Sequence, residues 1–146
     1  MDTTAPSKPT IAGLPGALTK VKTFTLTASG STDAHDITYR WTLNGAAAGT
    51  GDEFNVETTV DGFYAASVVA VDAAGNESVA ESVIWTLDAT APTEPQVAGA
   101  PDAVTNVKTF TLTASGTTDA HEFTYNWIFG EETATGETFD TTERLN

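Results

Sequence analysis

The chain has no cysteine, few basic residues and no long apolar run, and each of these shortages excludes a class of protein. Without cysteine, neither disulfide bonds nor thiolate metal sites can hold the fold. Six Lys and Arg residues stand against 20 Asp and Glu residues, which gives a formal net charge of −14. This balance argues against nucleic acid and anionic membranes as partners, because both are bound through a basic surface.

The shortage of long apolar runs means that no segment is typical of a transmembrane helix. Met1 leads directly into a polar segment that contains proline, and this segment does not resemble a signal peptide. Two interpretations remain open, a cytosolic protein or an internal piece of a larger exported chain. Because no apolar run is long enough, we do not expect membrane insertion. No segment has the periodicity of a helix, so we expect an all-β chain.

Short segments in which apolar and polar residues alternate are typical of half-buried strands. They cover residues 24–28, 37–43, 54–56, 64–72 and 81–88, although the inward face of the last segment is not assigned by its pattern. Turn-forming segments separate them, among them "SGSTDAH", "NGAAAGTGD" and "DAAGNES". Several short strands at a spacing of roughly ten residues predict an antiparallel β-sandwich.

The phase of these strands predicts which side chains form the core. Inward-facing positions of neighbouring strands meet in the middle of a sandwich. We therefore expect five large side chains to be buried together, namely Phe24, Leu26, Tyr39, Trp41 and Tyr64.

The sequence repeats itself over a domain-sized distance. "DTTAPSKPTIAGLPGALTKVKTFTLTASGSTDAHDITYRW" (residues 2–41) aligns without a gap with "DATAPTEPQVAGAPDAVTNVKTFTLTASGTTDAHEFTYNW" (residues 88–127). A period of about 86 residues is too long for a solenoid unit of roughly 20–50 residues, and it fits one independent domain per repeat. The sequence therefore predicts a complete domain in residues 1–87 and a partial copy in residues 88–146.

Several of these segments resemble known families. The linkers "DTTAPSKP" and "DATAPTEP", together with "VDAAGNES", resemble bacterial immunoglobulin-like repeats of surface adhesins. "ITYRW" and "FTYNWIFGEETATG" also resemble polycystic-kidney-disease (PKD)-like sandwich domains. The resemblance covers essentially the whole chain. It implies an immunoglobulin-like sandwich with strands A, B, E and D in one sheet and strands C, F and G in the other.

The same resemblance implies roles for individual residues. Trp41 would be the core tryptophan of strand C, and Tyr64 would be the tyrosine at the start of strand F. Ala66 stands where an antibody domain has a cysteine, so packing would replace the disulfide bond.

In the second copy, the resemblance implies that the equivalents of strands F and G are missing. Its strand C would then have an unpaired edge and expose one apolar face, which consists of Phe123, Tyr125, Trp127 and Phe129. Such an edge is a template for pairing with another chain, so we do not expect residues 88–146 to form a stable lone monomer. Either a gene-fragment boundary explains the short copy, or it is completed by a partner, by domain swapping or by self-association.

Acidic residues at one end of the expected sandwich predict a calcium site, because calcium takes oxygen ligands. The B–C and F–G loops lie at the end where the chain enters. Asp33, Asp36, Asp72 and Asp2 are expected to gather there, with Glu77 as a further candidate. The stretch "TDAHD" is also similar to a degraded form of the aspartate-rich calcium loop of cadherin-like bacterial repeats. The alternative is a solvated acidic rim without an ion.

Catalysis is not expected. His35 and His121 each precede an acidic residue, but the sequence offers no third orienting group, no nucleophile motif and no phosphate-binding loop.

The family resemblance implies a non-catalytic structural or adhesive spacer in a larger extracellular or cell-surface protein, with neighbouring repeats as its partners. Prolines in the linkers would restrict the swing between neighbours, and they are Pro6, Pro9, Pro92 and Pro95. The alternative is a carbohydrate-binding accessory domain of a secreted enzyme. Such a site needs an exposed aromatic side chain, and Trp85 is the tryptophan whose orientation the pattern does not assign.

Overall fold

The computed structural model describes residues 1–104 and 106–141. All secondary-structure elements within these residues are β-strands, which confirms the all-β prediction. No helix in this part of the chain is long and apolar enough to cross a membrane. The chain divides into two compact units, Met1–Ala89 (unit 1) and Thr90–Asn146 (unit 2).

Unit 1 consists of two sheets. Its strands are β1 (Thr10–Ala12), β2 (Leu18–Thr19), β3 (Thr23–Ser29), β4 (Ile37–Leu43), β5 (Ala46–Thr50), β6 (Glu53–Glu57), β7 (Gly62–Asp72) and β8 (Glu81–Leu87). The smaller sheet has the order β1-β3-β6, and the larger sheet has the order β2-β8-β7-β4-β5. Neighbours are antiparallel except β2 and β8, where Leu18 lies opposite Thr86 in a parallel pair. The larger sheet is therefore mixed, and the expectation of purely antiparallel pairing is wrong for this edge.

The segment that forms β5 was expected to be a turn. All five of its residues are exposed, so no alternation in the sequence could mark it as a strand. Asn44 and Gly45 have φ values of 50° and 81°, which is the conformation of a two-residue hairpin turn. The turn returns the chain along β4, so β5 joins the larger sheet. The smaller sheet therefore has three strands, and the expected fourth strand, D, is not in it.

A single hydrophobic cluster takes side chains from both sheets of unit 1. Leu26 and Val56 come from the smaller sheet, and Trp41, Val68 and Trp85 come from the larger sheet. Each of these side chains is at most 2% exposed. Burial of these apolar side chains is the main contribution to the stability of unit 1.

The expected core is correct for most of its members. Leu26, Tyr39 and Trp41 are buried, while Phe24 and Tyr64 are half-buried and pack against the cluster. The two half-buried rings flank Trp85. Phe24 meets it edge-on at 5.3 Å between ring centroids, and Tyr64 stacks on it at 5.6 Å.

Unit 2 repeats part of this arrangement. Its described strands are β9 (Gln96–Ala98), β10 (Thr111–Ser115), β11 (Asn126–Phe129), β12 (Glu132–Thr135) and β13 (Thr138–Asp140). They form a sheet with the order β13-β10-β9 and a separate pair, β11-β12. In the sequence alignment, the first sheet matches β1-β3-β6 and the pair matches β4-β5. Among the described residues, no strand of unit 2 takes the position that β7 has beside β4.

The aromatic face predicted for unit 2 is only partly exposed. Phe123 and Phe129 are 38% and 41% exposed, whereas Tyr125 and Trp127 are half-buried. The ring of Trp127 lies 5.8 Å from that of Phe139 of β13, and the ring of Tyr125 lies 5.6 Å from that of Phe123. The prediction that the whole face is exposed is therefore too strong.

Candidate cation site

The loop between β3 and β4 positions the first acidic side chain. The Asp33 Oδ1 atom accepts a hydrogen bond from the backbone N–H of His35 at 3.0 Å. This is the turn that aspartate side chains favour, because the carboxylate satisfies a nearby backbone donor. Asp119 accepts from the N–H of His121 at 2.9 Å in unit 2, so the same local sequence gives the same turn.

The N-terminal segment brings a second carboxylate to this loop. Asp2 Oδ1 accepts from the N–H of Thr4 at 2.9 Å, and the Asp2 carbonyl oxygen accepts from the Asn76 side chain at 3.3 Å. With its backbone held in this way, Asp2 places Oδ2 2.7 Å from Nδ1 of His35. Oδ1 of Asp33 lies 3.7 Å from the same nitrogen. The cluster of Asp2, Asp33 and His35 offers three ligand atoms within 4.8 Å of one another.

The chemistry of this cluster is mixed. The side chain of Asp33 is 3% exposed and that of Asp2 is 18% exposed, while the imidazole of His35 is 56% exposed. Calcium takes six to eight oxygen ligands, whereas these residues offer two carboxylates and one nitrogen. Imidazole and carboxylate together also suit transition metals. Without any ion, the same contacts connect the N-terminal segment to the loop.

Asp72, which we expected in this cluster, serves a different turn. Its Oδ1 accepts from the N–H groups of Ala74 and Asn76 at 2.8 Å each, and its Oδ2 accepts from the Asn76 side-chain amide at 2.7 Å. The side-chain hydrogen bond from Asn76 is the main cause that lowers the pKa of Asp72 below its ordinary value of 3.8, while burial opposes it. Asp72 therefore contributes to the acidic end indirectly, since Asn76 also contacts the carbonyl of Asp2.

The other two acidic candidates are not part of the cluster. Asp36 is exposed and supplies none of its ligand atoms. Glu77 pairs with Arg40 at 2.7 Å, and both side chains are 47% exposed. An ion pair this exposed contributes little to stability. Of the four predicted ligands, the structure brings together Asp2 and Asp33.

Sequence reasoning missed His35 as a member of this cluster. The histidine was considered only as a catalytic base without an orienting group. In the structure a carboxylate does contact its Nδ1, but that carboxylate is Asp2, which is remote in the sequence. Among the described residues, the ion-pair partners of the imidazole are the two aspartates.

The orientation of Trp85 bears on carbohydrate binding. Its side chain is 1% exposed, and its indole ring lies between Phe24 and Tyr64. Sugar rings stack on exposed aromatic faces. The tryptophan that was the strongest candidate for such a surface is therefore in the core.

No family model matches the sequence, and no curated protein matches it. Among solved structures, the family 28 exopolygalacturonase of Yersinia enterocolitica is similar to 60% of this chain, with 17% sequence identity and a TM-score of 0.44. This chain spans only 21% of that enzyme chain. At this level of similarity, the match carries no argument about fold or activity.

Proposed function

We propose that the chain is a non-catalytic structural or adhesive spacer, built from tandem immunoglobulin-like modules, in a larger extracellular or cell-surface protein. Bacterial immunoglobulin-like or PKD-like repeats are the families to which we assign it. Its partners would be neighbouring repeats of the same protein, together with copies that associate through residues 88–146.

The grouping of strands in unit 1 supports an immunoglobulin-like sandwich. β1, β3 and β6 correspond to strands A, B and E, and β4, β7 and β8 correspond to strands C, F and G. Trp41 lies on the strand C equivalent with 0% exposure, as the core tryptophan of this fold does. The Tyr64 hydroxyl donates to the carbonyl of Val60 at 2.7 Å, which matches the tyrosine corner at the start of strand F.

The observation that carries the spacer function is how each unit holds the connecting segment. At the end of unit 1, the N–H of Ala89 donates to Asp61 Oδ1 at 2.9 Å. At the start of unit 2, the N–H of Thr93 donates to the carbonyl of Thr118 at 3.0 Å. The segment between these contacts is Thr90–Ala91–Pro92, and proline stiffens it further. A short connection of this kind restricts the swing of adjacent modules, which a spacer requires.

Small-angle X-ray scattering tests this proposal on the full chain. We expect a narrow distribution of unit-to-unit distances, and insertion of Gly-Ser-Gly-Ser-Gly-Ser after Ala91 should broaden it. Insertion of the same hexapeptide after Gly45, in the β4–β5 turn, is the control for added length alone. Equally broad scattering from the parent chain and the Ala91 insertion variant would overturn the spacer function.

Calcium binding is a second candidate activity, favoured by the cluster of Asp2, Asp33 and His35. An ion there would fix the N-terminal segment against the β3–β4 loop, which would stiffen the junction with a preceding module. This role would add to the spacer function rather than replace it.

A further inference from the structure

The turn between β4 and β5 contains Asn44, the asparagine of this chain that is followed directly by glycine. Gly45 has no side chain, so nothing on that residue shields its backbone nitrogen from the neighbouring side-chain amide. A Cβ added at Gly45 would meet nothing within 4 Å, and both residues are exposed. Water therefore has open access to this turn.

The side chain of Asn44 is held in place by β7. With a φ of 50°, Asn44 is the single residue other than glycine that has a positive φ in the described part of the chain. Its N–H donates to the carbonyl of Ala65 at 2.8 Å, and its Oδ1 accepts from the N–H of Ala65 at 2.9 Å. The side-chain oxygen thus serves as an acceptor just beyond the last pair of the β4–β7 register, which joins Leu43 with Ala66.

The Gly45 nitrogen is outside the strand pairing. The β4–β5 register joins Leu43 with Ala46, and the two turn residues lie between them. A backbone nitrogen can attack Cγ of the asparagine that precedes it, because the product is a stable succinimide ring. The ring closes only when Cγ comes close to the nitrogen. Oδ1 of Asn44 must then leave the N–H of Ala65, so the contact that caps the strand also opposes the reaction.

We propose that Asn44 is a site of spontaneous deamidation and that opening of the β4–β5 hairpin controls the rate. The Gly45 nitrogen loses its proton and forms a bond with Cγ of Asn44, while the Cγ–Nδ2 bond breaks and the amide group leaves with a proton as ammonia. Water then opens the succinimide. Attack at Cγ gives aspartate, and attack at the backbone carbonyl carbon gives isoaspartate. The net change exchanges one ammonia for one water, and it does not depend on the proposed spacer function.

The two products affect the hairpin differently. Aspartate keeps an oxygen where Oδ1 accepts from Ala65. Isoaspartate adds a methylene group to the main chain, so the backbone N–H and the side-chain oxygen no longer both meet Ala65. We therefore expect the isoaspartate product to lose β4–β5 pairing next to the turn. The corresponding turn of unit 2 is Gly130–Glu131, which contains no asparagine.

Peptide mapping by mass spectrometry measures the reaction in the full chain during incubation in mildly alkaline buffer. The peptide that contains Asn44 should gain the mass of the ammonia-to-water exchange, and electron-transfer fragmentation should identify isoaspartate as well as aspartate. The chain unfolded in urea should react at least about tenfold faster than the folded chain, since an opening free energy of about 1.4 kcal/mol already gives this ratio.

Hydrogen exchange at the Ala65 amide measures the opening independently, because this N–H donates to Oδ1 of Asn44. Urea below the unfolding transition should raise the exchange rate of Ala65 and the deamidation rate of Asn44 by the same factor. The variant Asn44→Asp supplies the aspartate product directly, and it should leave the Ala65 amide protected.

Asn55 is the matched control within the same chain. It is exposed on β6, its Oδ1 accepts from the Thr25 hydroxyl at 2.8 Å, and the β-branched residue Val56 follows it. Because Val56 shields its own nitrogen, Asn55 should keep its amide while Asn44 reacts.

Four results would overturn the proposal or one of its steps. An Asn44 amide that survives in the unfolded chain would remove the site. Equal rates in the folded and the unfolded chain, or a rate that does not follow exchange at Ala65, would remove the control by the hairpin. Aspartate without isoaspartate would show direct hydrolysis of the side chain. Reaction of Asn55 at the rate of Asn44 would show a general loss of amides.

Discussion

The two units share their local contacts but differ in burial. Trp41 donates its indole N–H to the carbonyl of Gly51 at 2.9 Å, and Trp127 donates to the carbonyl of Gly136 at 2.8 Å. Trp41 is nevertheless 0% exposed, while Trp127 is half-buried. The same residue with the same hydrogen bond is therefore buried to a different degree: β7 lies beside β4 in unit 1, and none of the described strands takes that place in unit 2.

The contacts between the start of each unit and a loop 25 residues further on extend this comparison. Ser7 contacts Thr32 through a backbone bond of 3.0 Å and a hydroxyl pair at 3.1 Å. Thr93 makes the corresponding contacts to Thr118 at 3.0 Å and 3.2 Å. Residues 25 positions apart therefore meet in the same way in both units, whereas the core tryptophan is fully buried in unit 1, where β7 lies beside β4.

The tryptophan pair provides the prediction with the largest effect. Trp41→Ala should reduce the free energy of unfolding of unit 1 by about 3–5 kcal/mol, because it leaves a cavity between the two sheets. That loss is a large fraction of the stability of a small domain. Denaturant unfolding followed by circular dichroism measures it.

Trp127→Ala is the matched control for this change. Because Trp127 is half-buried, its removal should cost unit 2 less than Trp41→Ala costs unit 1. An equal loss from the two substitutions would show that burial by β7 is not what distinguishes the units.

A pair of glycines tests whether the units also share backbone strain. Gly13 and Gly99 have φ values of +100° and +90°, and an added Cβ would come within 2.2 Å of the Thr25 carbonyl oxygen and 2.1 Å of the Thr111 carbonyl oxygen. Alanine at either position should cost roughly 1–3 kcal/mol for the backbone conformation alone. Thermal unfolding of the two variants should show the loss in unit 1 and in unit 2, respectively.

Gly45→Ala separates the cost of a positive φ from the cost of steric overlap with a neighbouring atom. Its φ is +81°, but an added Cβ would meet nothing within 4 Å. It should therefore cost less than Gly13→Ala, and an equal cost would mean that the close approach to Thr25 relaxes freely.

The strands that the sequence predicts are those with one buried face. In β3, Leu26 and Ala28 are buried and alternate with exposed threonines, so periodicity identified the strand. β5 lacks this pattern because it is an exposed edge strand, and its segment was therefore predicted to be a turn. The inward face of β8 was not assigned because Ile84, which is 56% exposed, is apolar on the outer side.

The candidate site was predicted less well than the strands. Asp2 and Asp33 meet because the N-terminal segment lies against the β3–β4 loop. The sequence predicts this contact, since it places the loop at the end of the sandwich where the chain enters. The role of Asp72 could have been read from "DAAGN", since aspartate followed by glycine and asparagine favours a side-chain-capped turn. The contact of His35 with Asp2 depends on geometry that no local pattern records.

Protonation of Asp72 should destabilise unit 1 in acid. Because the folded-state pKa of Asp72 lies below 3.8, its ionised form stabilises the fold above the unfolded-state pKa. This contribution is lost as the pH falls below about 4 and through the lowered folded-state pKa. Asn76→Ala removes the main cause of the shift, so the pH dependence of unfolding in this range should become shallower.

Asp72→Asn is the reference for that experiment, because it removes the titrating group. Chemical denaturation between pH 2 and pH 6 compares the three proteins. If Asn76→Ala keeps the full pH dependence of the parent chain, the Asn76 side chain is not what lowers the pKa.

The smallest expected effect concerns calcium at the cluster of Asp2, Asp33 and His35. A ligand that binds only the folded state raises its stability by mass action, by about 1.4 kcal/mol at ten times the dissociation constant. Millimolar calcium should therefore raise the melting temperature of unit 1, and Asp33→Asn should abolish the rise.

Asp36→Asn is the matched control, because this exposed neighbour supplies no ligand atom to the cluster and should leave the rise intact. Identical melting curves of the parent chain in calcium and in chelator would leave the cluster as a contact between the N-terminal segment and the loop. A rise that survives Asp33→Asn but not Asp36→Asn would move the site to the outer rim of the loop.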